Sequence, residues 1–254
     1  MKFISRKSVT NILAITVLSV LPSQALQADT LGIYVSASSW SPDISGYVSD
    51  DGPTINIEDE LGFDDDKSNI FSVAFEHPIF MLPNFKYQRT ALDVNSSTNL
   101  SSGINFGGVS FPANTPLDSI VDLSHTDYIM YYEVLDNWVS LDLGITVMNF
   151  DGNISISSTG LASNVDLDEY VPALYGKAEF NLPFTGFYTG VEGSILSIGD
   201  GSIADYKVYL GWESDIVIGA EIGYHSFEAD WEGFDNSDGK ISFDGYYASV
   251  TFHF

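Results

Sequence analysis

Three polar side chains on one predicted strand are the first candidates for chemistry. His125, Asp127 and Glu133 lie an even number of residues apart, so an extended chain points all three to one face. An imidazole beside carboxylates is a typical acid–base set, and it can activate a hydroxyl nucleophile in a hydrolase. The sequence fixes no nucleophile beside them. We therefore favour the alternative that they satisfy one another inside a filled barrel, and we predict no catalytic or cofactor-binding residue.

A second pair of histidines raises the question of a metal site. His225 and His253 are predicted to face the same side of neighbouring strands close to the end of the chain. They fall at opposite ends of those strands, which disfavours a shared ion, and the absence of cysteine removes thiolate ligands. We therefore predict no metal-ligating residue.

Two acidic stretches resemble cation-binding loops. In the first, Asn236, Asp238 and Gly239 match a calcium loop. Phe234 and Gly245 stand where that loop has its first and last carboxylates, so an ordinary Asp-Gly turn is the better interpretation. The second stretch offers oxygen ligands for divalent cations, although we favour a solvated surface loop. Its carboxylates are Asp43, Asp50, Asp51, Glu58, Asp59, Glu60, Asp64, Asp65 and Asp66.

The charge balance of the chain excludes one class of partner. The 254 residues include 9 basic and 35 acidic side chains, for a formal net charge of -26, so attraction to nucleic acid phosphates is not expected. The 22 glycines, 14 tyrosines and 17 phenylalanines favour strands over helices. A chain of this length and composition fits a single all-β domain.

The N-terminus predicts export. Lys2, Arg6 and Lys7 precede an apolar run of about ten residues from Ile12 to Leu21, which is the pattern of a secretory signal peptide. The run is too short for a spanning helix, which needs roughly 20 apolar residues. Small residues at Ala25 and Ala28 both fit a cleavage site. We predict a signal peptide over residues 1–28, cleaved after Ala25 or Ala28, and a mature domain over residues 29–254.

The elements that would position these side chains are strands that alternate apolar with small or polar residues. The segment from Val139 to Val147 is the clearest, because Val139, Leu141, Leu143, Ile145 and Val147 oppose Ser140, Asp142, Gly144 and Thr146. The repetition of such segments predicts a transmembrane antiparallel up-and-down β-barrel of about ten strands, with eight or twelve as alternatives. Ten strands are predicted, near residues 31–40, 69–77, 85–94, 119–134, 138–150, 169–180, 187–196, 205–213, 216–226 and 242–254.

The predicted connections alternate between short and long, as in outer-membrane barrels. The short ones are residues 135–137, 182–186 and 214–215. The long ones are residues 41–68, 95–118, 151–168 and 227–241. Aromatic residues close to the short turns predict an interfacial belt; they are Phe80, Phe85, Trp138, Phe184, Phe187 and Trp212.

The last strand ends on Phe254, and it alternates Tyr246, Ala248, Val250 and Phe252 with small or polar residues. It resembles the C-terminal strand of bacterial outer-membrane barrels, where a terminal aromatic residue is an assembly signal. The chain also resembles a family of small Gram-negative outer-membrane β-barrel proteins of unestablished function. The matching stretches are LGIYVSASSWSPDISG, TINIEDELGFDDD, FSVAFEHP, LPNFKYQRT, YYEVLDNWVSLDLGITVMNFDG and YYASVTFHF.

This resemblance implies a location in the cell outer membrane. The implied partners are membrane lipids and lipopolysaccharide, together with the barrel-assembly machinery, which would read the strand ending at Phe254. We predict a structural protein or a narrow passive channel for small molecules. The alternatives are a lipid-modifying enzyme that uses His125, and a protein that binds cations or a partner through its acidic loops.

Overall fold

The computed structural model describes residues 31–254 apart from 51–53, 64–66, 80, 200, 215–216 and 235–236. The predicted signal peptide and Phe80 lie outside the described residues. The described chain is built from β-strands and their connections. Within these ranges no helix is long and apolar enough to cross a membrane.

Fifteen strands are described. They are β1 (Gly32–Asp50), β2 (Ile55–Asn56), β3 (Ser68–Glu76), β4 (Asn84–Ala91), β5 (Asp93–Asn99), β6 (Ile104–Phe106), β7 (Val109–Phe111), β8 (Pro116–Asp122), β9 (His125–Leu135), β10 (Val139–Ser158), β11 (Leu161–Asn181), β12 (Phe187–Ile198), β13 (Gly201–Glu213), β14 (Ile218–Phe234) and β15 (Ser237–His253).

Ten of these strands close into a barrel. Going round the wall, β10 is followed by β11, β12, β13, β14, β15, β1, β3, β4 and β9, and β9 pairs with β10 again. Every neighbouring pair is antiparallel, and the first and last strands of the ring in sequence, β1 and β15, pair from Tyr34 opposite His253 to Asp50 opposite Ser237. Closure leaves the ring without a free edge, because each strand has hydrogen-bonded neighbours on both sides. The predicted ten-stranded up-and-down barrel is confirmed.

The two ends of the barrel differ. Residue Ile33 and the terminal Phe254 exchange backbone hydrogen bonds of 3.0 and 2.9 Å at one end. The short connections 136–138 and 182–186 lie at the same end, which we call the turn end. At the opposite end, the hairpin end, paired strands continue well beyond the ring of β3, β4 and β9. The predicted alternation of short and long connections therefore corresponds to two different ends.

Most residues of the long connections predicted at the hairpin end form strands, so the prediction that they are loops is largely wrong. Residues 151–168 continue β10 and β11, whose pairing runs from Val139 opposite Phe180 to Ser158 opposite Leu161. The hairpin turns through two residues, and Gly160 takes the left-handed φ of 78° that such a tight turn requires. Residues 227–241 likewise continue β14 and β15, apart from 235–236, which lie outside the described residues. Ladder hydrogen bonds extend these strands although their Ser, Asn and Asp content is typical of loops.

Two of the predicted strands are each divided into two shorter strands in the structure. The strand predicted at 85–94 divides into β4 and β5 at Leu92, and the one predicted at 119–134 divides into β8 and β9 at residues 123–124. Leu92 is fully buried, and its amide donates to the hydroxyl of Ser124 at 2.9 Å. Beyond these breaks, β5 pairs with β8, and β8 pairs with the part of β10 nearest the hairpin end. The predicted loop 95–118 thus carries most of β5, all of β6 and β7, and the start of β8.

The hydrophobic core fills the hairpin end of the barrel. It contains residues from β1, from β2 and the turn after it, and from β5 to β8. The rest come from the halves of β10, β14 and β15 that are nearest the hairpin end. The largest fully buried side chains there include Trp40, Phe111, Met148, Phe227 and Phe243. Toward the turn end the interior is lined instead by charged, hydroxyl and tyrosine side chains.

Candidate functional site

The candidate functional site is the polar part of the barrel lumen, which opens at the turn end. A cavity of about 360 Å³ occupies this end. Eight carboxylate side chains line it against three lysines, Lys86, Lys177 and Lys207, so the cavity is strongly acidic. The lining carboxylates are Glu76, Glu133, Asp136, Asp142, Glu179, Glu192, Glu213 and Glu221. Such a surface concentrates cations and repels anions.

A buried ion-pair network crosses the lumen at the inner end of this acidic cavity. The ammonium of Lys86 on β4 forms a short ion pair with Glu192 on β12, and Lys207 on β13 approaches the other oxygen of Glu192 at 3.2 Å. The hydroxyl of Tyr175 donates to Glu192 at 3.0 Å. A carboxylate that is only 9% exposed needs such partners, because an unpaired buried charge is very costly. The network ties one wall of the barrel to the opposite wall.

A second, smaller cavity lies beyond this network, toward the hairpin end. Its volume is about 30 Å³, roughly the space of one water molecule. Glu192 and Lys207 line both cavities, so the two are adjacent. Asp127, Asp205 and His225 line the small cavity.

Aromatic side chains close the lumen on the hairpin-end side of the small cavity. The ring of Trp40 packs on His225, with centroids 4.2 Å apart. His125 is packed between Phe150 and Phe227, at 5.1 and 5.2 Å. Trp40, Phe150 and Phe227 belong to one hydrophobic core, and Trp40 and His125 are fully buried, so among the described residues packed side chains fill the lumen at this level.

The predicted set of His125, Asp127 and Glu133 is only partly assembled. All three side chains point inward, and Nε2 of His125 is 3.9 Å from an oxygen of Asp127. Glu133 lies eight residues from His125 along β9, about 26 Å away at ~3.3 Å per residue. It lines the acidic cavity, whereas Asp127 lines the small cavity and His125 packs against Phe150 and Phe227. Glu133 therefore cannot act with His125 in one step.

The structure brings Asp205, which sequence reasoning did not select, to His125. It also brings His225, which was considered only together with His253, to Asp205. An oxygen of Asp205 on β13 lies 3.9 Å from Nε2 of His125, and the ring of His225 on β14 donates a short hydrogen bond to the other Asp205 oxygen. Continuing the alternation of Lys207 and Tyr209 by one step would have placed Asp205 inward. Contact between β9 and β13 across the lumen has no sequence signal, because the strands are not neighbours in the wall.

The remaining sequence candidates do not meet. His253 stacks on Tyr34 at the turn end, with centroids 4.0 Å apart, and is 3.3 Å from Glu213, so it is far from His225 as predicted. In the acidic stretch, Glu60 accepts a hydrogen bond from the amide of Asn56 at 2.7 Å. Residues 51, 64–66 and 236 lie outside the described residues. The proposed cation loops therefore stay predictions.

The outer surface of the barrel carries an apolar band between two aromatic belts. On the hairpin side the belt consists of Tyr87, Tyr128, Tyr170, Tyr206, Tyr224 and Tyr246. On the turn side it consists of Phe75, Phe85, Tyr132, Trp138, Phe180, Phe187, Trp212 and Phe254. Between the belts, the outward positions that the structure describes carry no charged side chain, and the hydroxyl of Thr189 donates to the Tyr209 carbonyl at 2.7 Å. The Thr189 hydroxyl, although it faces outward, thus has a partner within the barrel wall.

These features define the class of the fold. A closed antiparallel ring, inward polar groups and an outward apolar band between aromatic belts are the attributes of transmembrane β-barrels. No protein-family model matches the sequence. No curated protein matches it either.

The chain is similar in fold to solved outer-membrane barrels at low identity. The transport unit of the autotransporter AIDA-I from Escherichia coli has 9% identity and a TM-score of 0.39, with 92% of each chain covered. A Pseudomonas aeruginosa FadL homologue has 10% identity and a TM-score of 0.36, covering 88% of this chain and 90% of its own. Ail of Yersinia pestis has 9% identity and a TM-score of 0.33, covering 87% of this chain and 99% of its own.

Proposed function

We propose that this chain is an integral outer-membrane β-barrel protein with a closed lumen, which serves as a structural component of the membrane and not as a channel. The single observation that carries this proposal is the apolar core across the hairpin end. The acidic cavity ends below it, so solutes that enter from the turn end meet packed side chains.

The outer surface supports membrane insertion. Burying the band in hydrocarbon removes exposed apolar side chains from water, including Leu143, Ile145 and Ile222, which are each about half exposed or more in the isolated chain. The aromatic belts match the depth at which tyrosine and tryptophan favour the membrane–water interface. A soluble protein would rarely expose an apolar surface of this extent.

The ends of the barrel support an outer-membrane orientation. Short turns and both chain termini are expected on the periplasmic side, and extended hairpins on the outer side. The turn end, with Phe254, would then face the periplasm and the acidic cavity would open there. The predicted signal peptide agrees with export to this compartment.

The interior supports a closed state because its packing is continuous. Trp40, Met148, Phe227 and Phe243 are each at most 1% exposed and belong to one core. Opening a passage among them would expose these side chains to water, at roughly 1.5–3 kcal/mol for each large apolar side chain. A ten-stranded barrel also has little internal width once its lumen side chains are in place.

Planar-bilayer recordings test the closed lumen. The purified protein is reconstituted, and insertion is verified in the same preparation by heat-dependent gel migration and by resistance of the barrel to protease. We expect no steady current above that of the bare bilayer, and no swelling of liposomes in small sugars. Reproducible stepwise currents from the wild-type protein would contradict the proposal. Recovery of the processed protein in a detergent-free periplasmic extract would contradict the membrane location itself.

A further inference from the structure

Three buried side chains in the lumen converge on one point. Nε2 of His125 lies 3.9 Å from Asp127 and 3.9 Å from Asp205, and these ligand atoms all lie within 4.8 Å of one another. Their side chains are only 1%, 3% and 8% exposed. The β9 backbone presents His125 and Asp127 on one face because they are two residues apart, and β13 supplies Asp205 from across the lumen.

The hydrogen bonds of His125 leave one nitrogen aimed into this group without a partner. Its Nδ1 is 2.8 Å from the carbonyl oxygen of Leu123, and because a carbonyl only accepts, Nδ1 must donate. In the neutral ring Nε2 then carries the lone pair. Among the described residues Nε2 of His125 and Oδ1 of Asp127 have no hydrogen-bond partner although both are buried, whereas Oδ2 of Asp127, which lies 3.9 Å from Nε2, accepts from Gln88. Unsatisfied buried polar atoms are costly, so this arrangement needs an additional partner.

We propose that His125, Asp127 and Asp205 form a binding site for a divalent transition-metal ion, for which zinc is the best fit. A histidine that donates its other ring N–H to a backbone carbonyl is in the state required of a metal ligand. Two carboxylates and one neutral imidazole balance a charge of two. The nitrogen ligand favours zinc over calcium and magnesium, which prefer all-oxygen sites.

The distances between the three side chains are close to those of a zinc site. Two ligands that bind one zinc at ~2.0–2.1 Å are about 3.3 Å apart in a tetrahedral site. The two separations of 3.9 Å from Nε2 of His125 exceed that by about half an ångström, and the ligand atoms of Asp127 and Asp205 lie within 4.8 Å of each other, so binding requires side-chain rotations that bring the three together. The fourth position faces the small cavity, where there is room for about one water molecule.

Outer partners hold the two carboxylates in place. The ring of His225 donates to Asp205, and the amide of Gln88 donates to Asp127 at 3.4 Å. Such partners orient metal-binding carboxylates and are part of most metal sites. The hydrogen bond from His225 holds Asp205 in its orientation toward His125.

The acidic cavity supplies a path for the ion. It opens at the turn end, and its excess of carboxylates over lysines raises the local concentration of cations. Glu192 and Lys207 line both this cavity and the small one, so the two cavities adjoin at the ion-pair network. Entry is from the turn end because aromatic side chains close the other side.

Calorimetric titration with zinc tests the site. The protein is refolded in detergent micelles, stripped with a chelator and titrated with Zn²⁺ alone. We expect one ion per chain for the wild type and for the control His253→Gln, which changes the histidine at the turn end. For His125→Gln and Asp127→Asn we expect an affinity lower by about 100-fold or more, because loss of an outer partner alone costs roughly 10–100-fold. Trp40 fluorescence follows binding independently, since Trp40 packs on His225.

Two results would overturn the site. One is a wild-type protein that binds no stoichiometric zinc; the other is a folded His125→Gln variant that keeps wild-type affinity, which would place the ion among the cavity carboxylates. If neither variant folds, X-ray absorption at the zinc edge of the wild-type protein decides. One histidine nitrogen together with oxygen ligands supports the site, and an all-oxygen environment refutes it.

Discussion

Replacing Ile145 by arginine tests whether the outward band meets lipid. Ile145 is 48% exposed and points outward from β10, where its neighbours in the wall are Met130 and Leu174. Met130 lies between Tyr128 and Tyr132, one from each belt, so Ile145 is near the middle of the band. An arginine at the bilayer midplane costs about 2–4 kcal/mol in a β-barrel. We therefore expect Ile145→Arg to lower the free energy of unfolding by about 3 kcal/mol.

The chain offers a matched control for this substitution at Ile120. Ile120 is 40% exposed and points outward from β8, between Asn95 and Ser155 at the hairpin end. Its neighbours are polar and lie beyond the tyrosine belt, so Ile120→Arg meets water. A surface substitution of this kind changes stability by about 0.5 kcal/mol or less.

The assay is reversible unfolding by guanidinium from lipid vesicles, followed by tryptophan fluorescence. Both variants are refolded into the same vesicles, and the folded fraction is checked by heat-dependent gel migration. A difference between the two variants near 3 kcal/mol supports a lipid-facing band. Equal losses of stability, or equal tolerance, would refute the reasoning, since the two isoleucines have similar exposure and differ only in what faces them.

Two further predictions concern packing inside the barrel. Phe243→Ala removes a fully buried ring from the core at the hairpin end and should lower the free energy of unfolding by about 3–5 kcal/mol in the same titration, and a loss below about 1 kcal/mol would show that the core is not packed as described. Gly144→Ala should lower the yield of folded protein on gels because its Cβ would clash with the Met130 carbonyl. Gly176→Ala, whose Cβ would have its nearest neighbours at 3.9 Å, should fold normally, and equal yields would contradict this packing.

The sequence predicted the wall of the barrel between the belts because the alternation there follows one simple rule. Val139 to Val147 face outward at odd positions, and Asp142 and Thr146 are 3% and 0% exposed as predicted. The same holds for Tyr246 and Val250 outward against Tyr247 and Ser249 inward. Ten strands could be counted because each contains a segment in which outward apolar residues alternate with inward small or polar residues.

The sequence did not predict the candidate metal site, since it depends on contacts across the lumen. His125 and Asp205 are 80 residues apart and lie on strands that are not paired. Predicting their distance requires the width of the barrel and the stagger of its strands. Neither follows from alternation, which tells only which face a side chain occupies.

The sequence analysis also missed the halves of the long strands nearest the hairpin end. The physical reason is that the apolar side chains change from the outward face to the inward face along each strand, which we call the inversion. Along β14 the outward residues Ile222 and Tyr224 are followed by Glu228, while inward Glu221 and His225 are followed by Phe227. The apolar side chains therefore move from even to odd positions just beyond the tyrosine belt. Read as a sequence, this shift of phase is typical of the end of a strand.

The same inversion occurs in the other long strands and follows from a change of surroundings at one level. On β10 the buried apolar positions change to Met148 and Phe150, and on β15 Phe243 and Ile241 are buried beyond Tyr246. Below the tyrosine belt a strand needs an apolar outer face for lipid and can keep polar groups inside. Between the tyrosine belt and the hairpin end the outer face meets water, so the strands there need an apolar inner face, whose burial stabilises the fold. A conducting pore would need polar inner faces over the full length, and for that reason the inversion itself is an argument for a closed barrel.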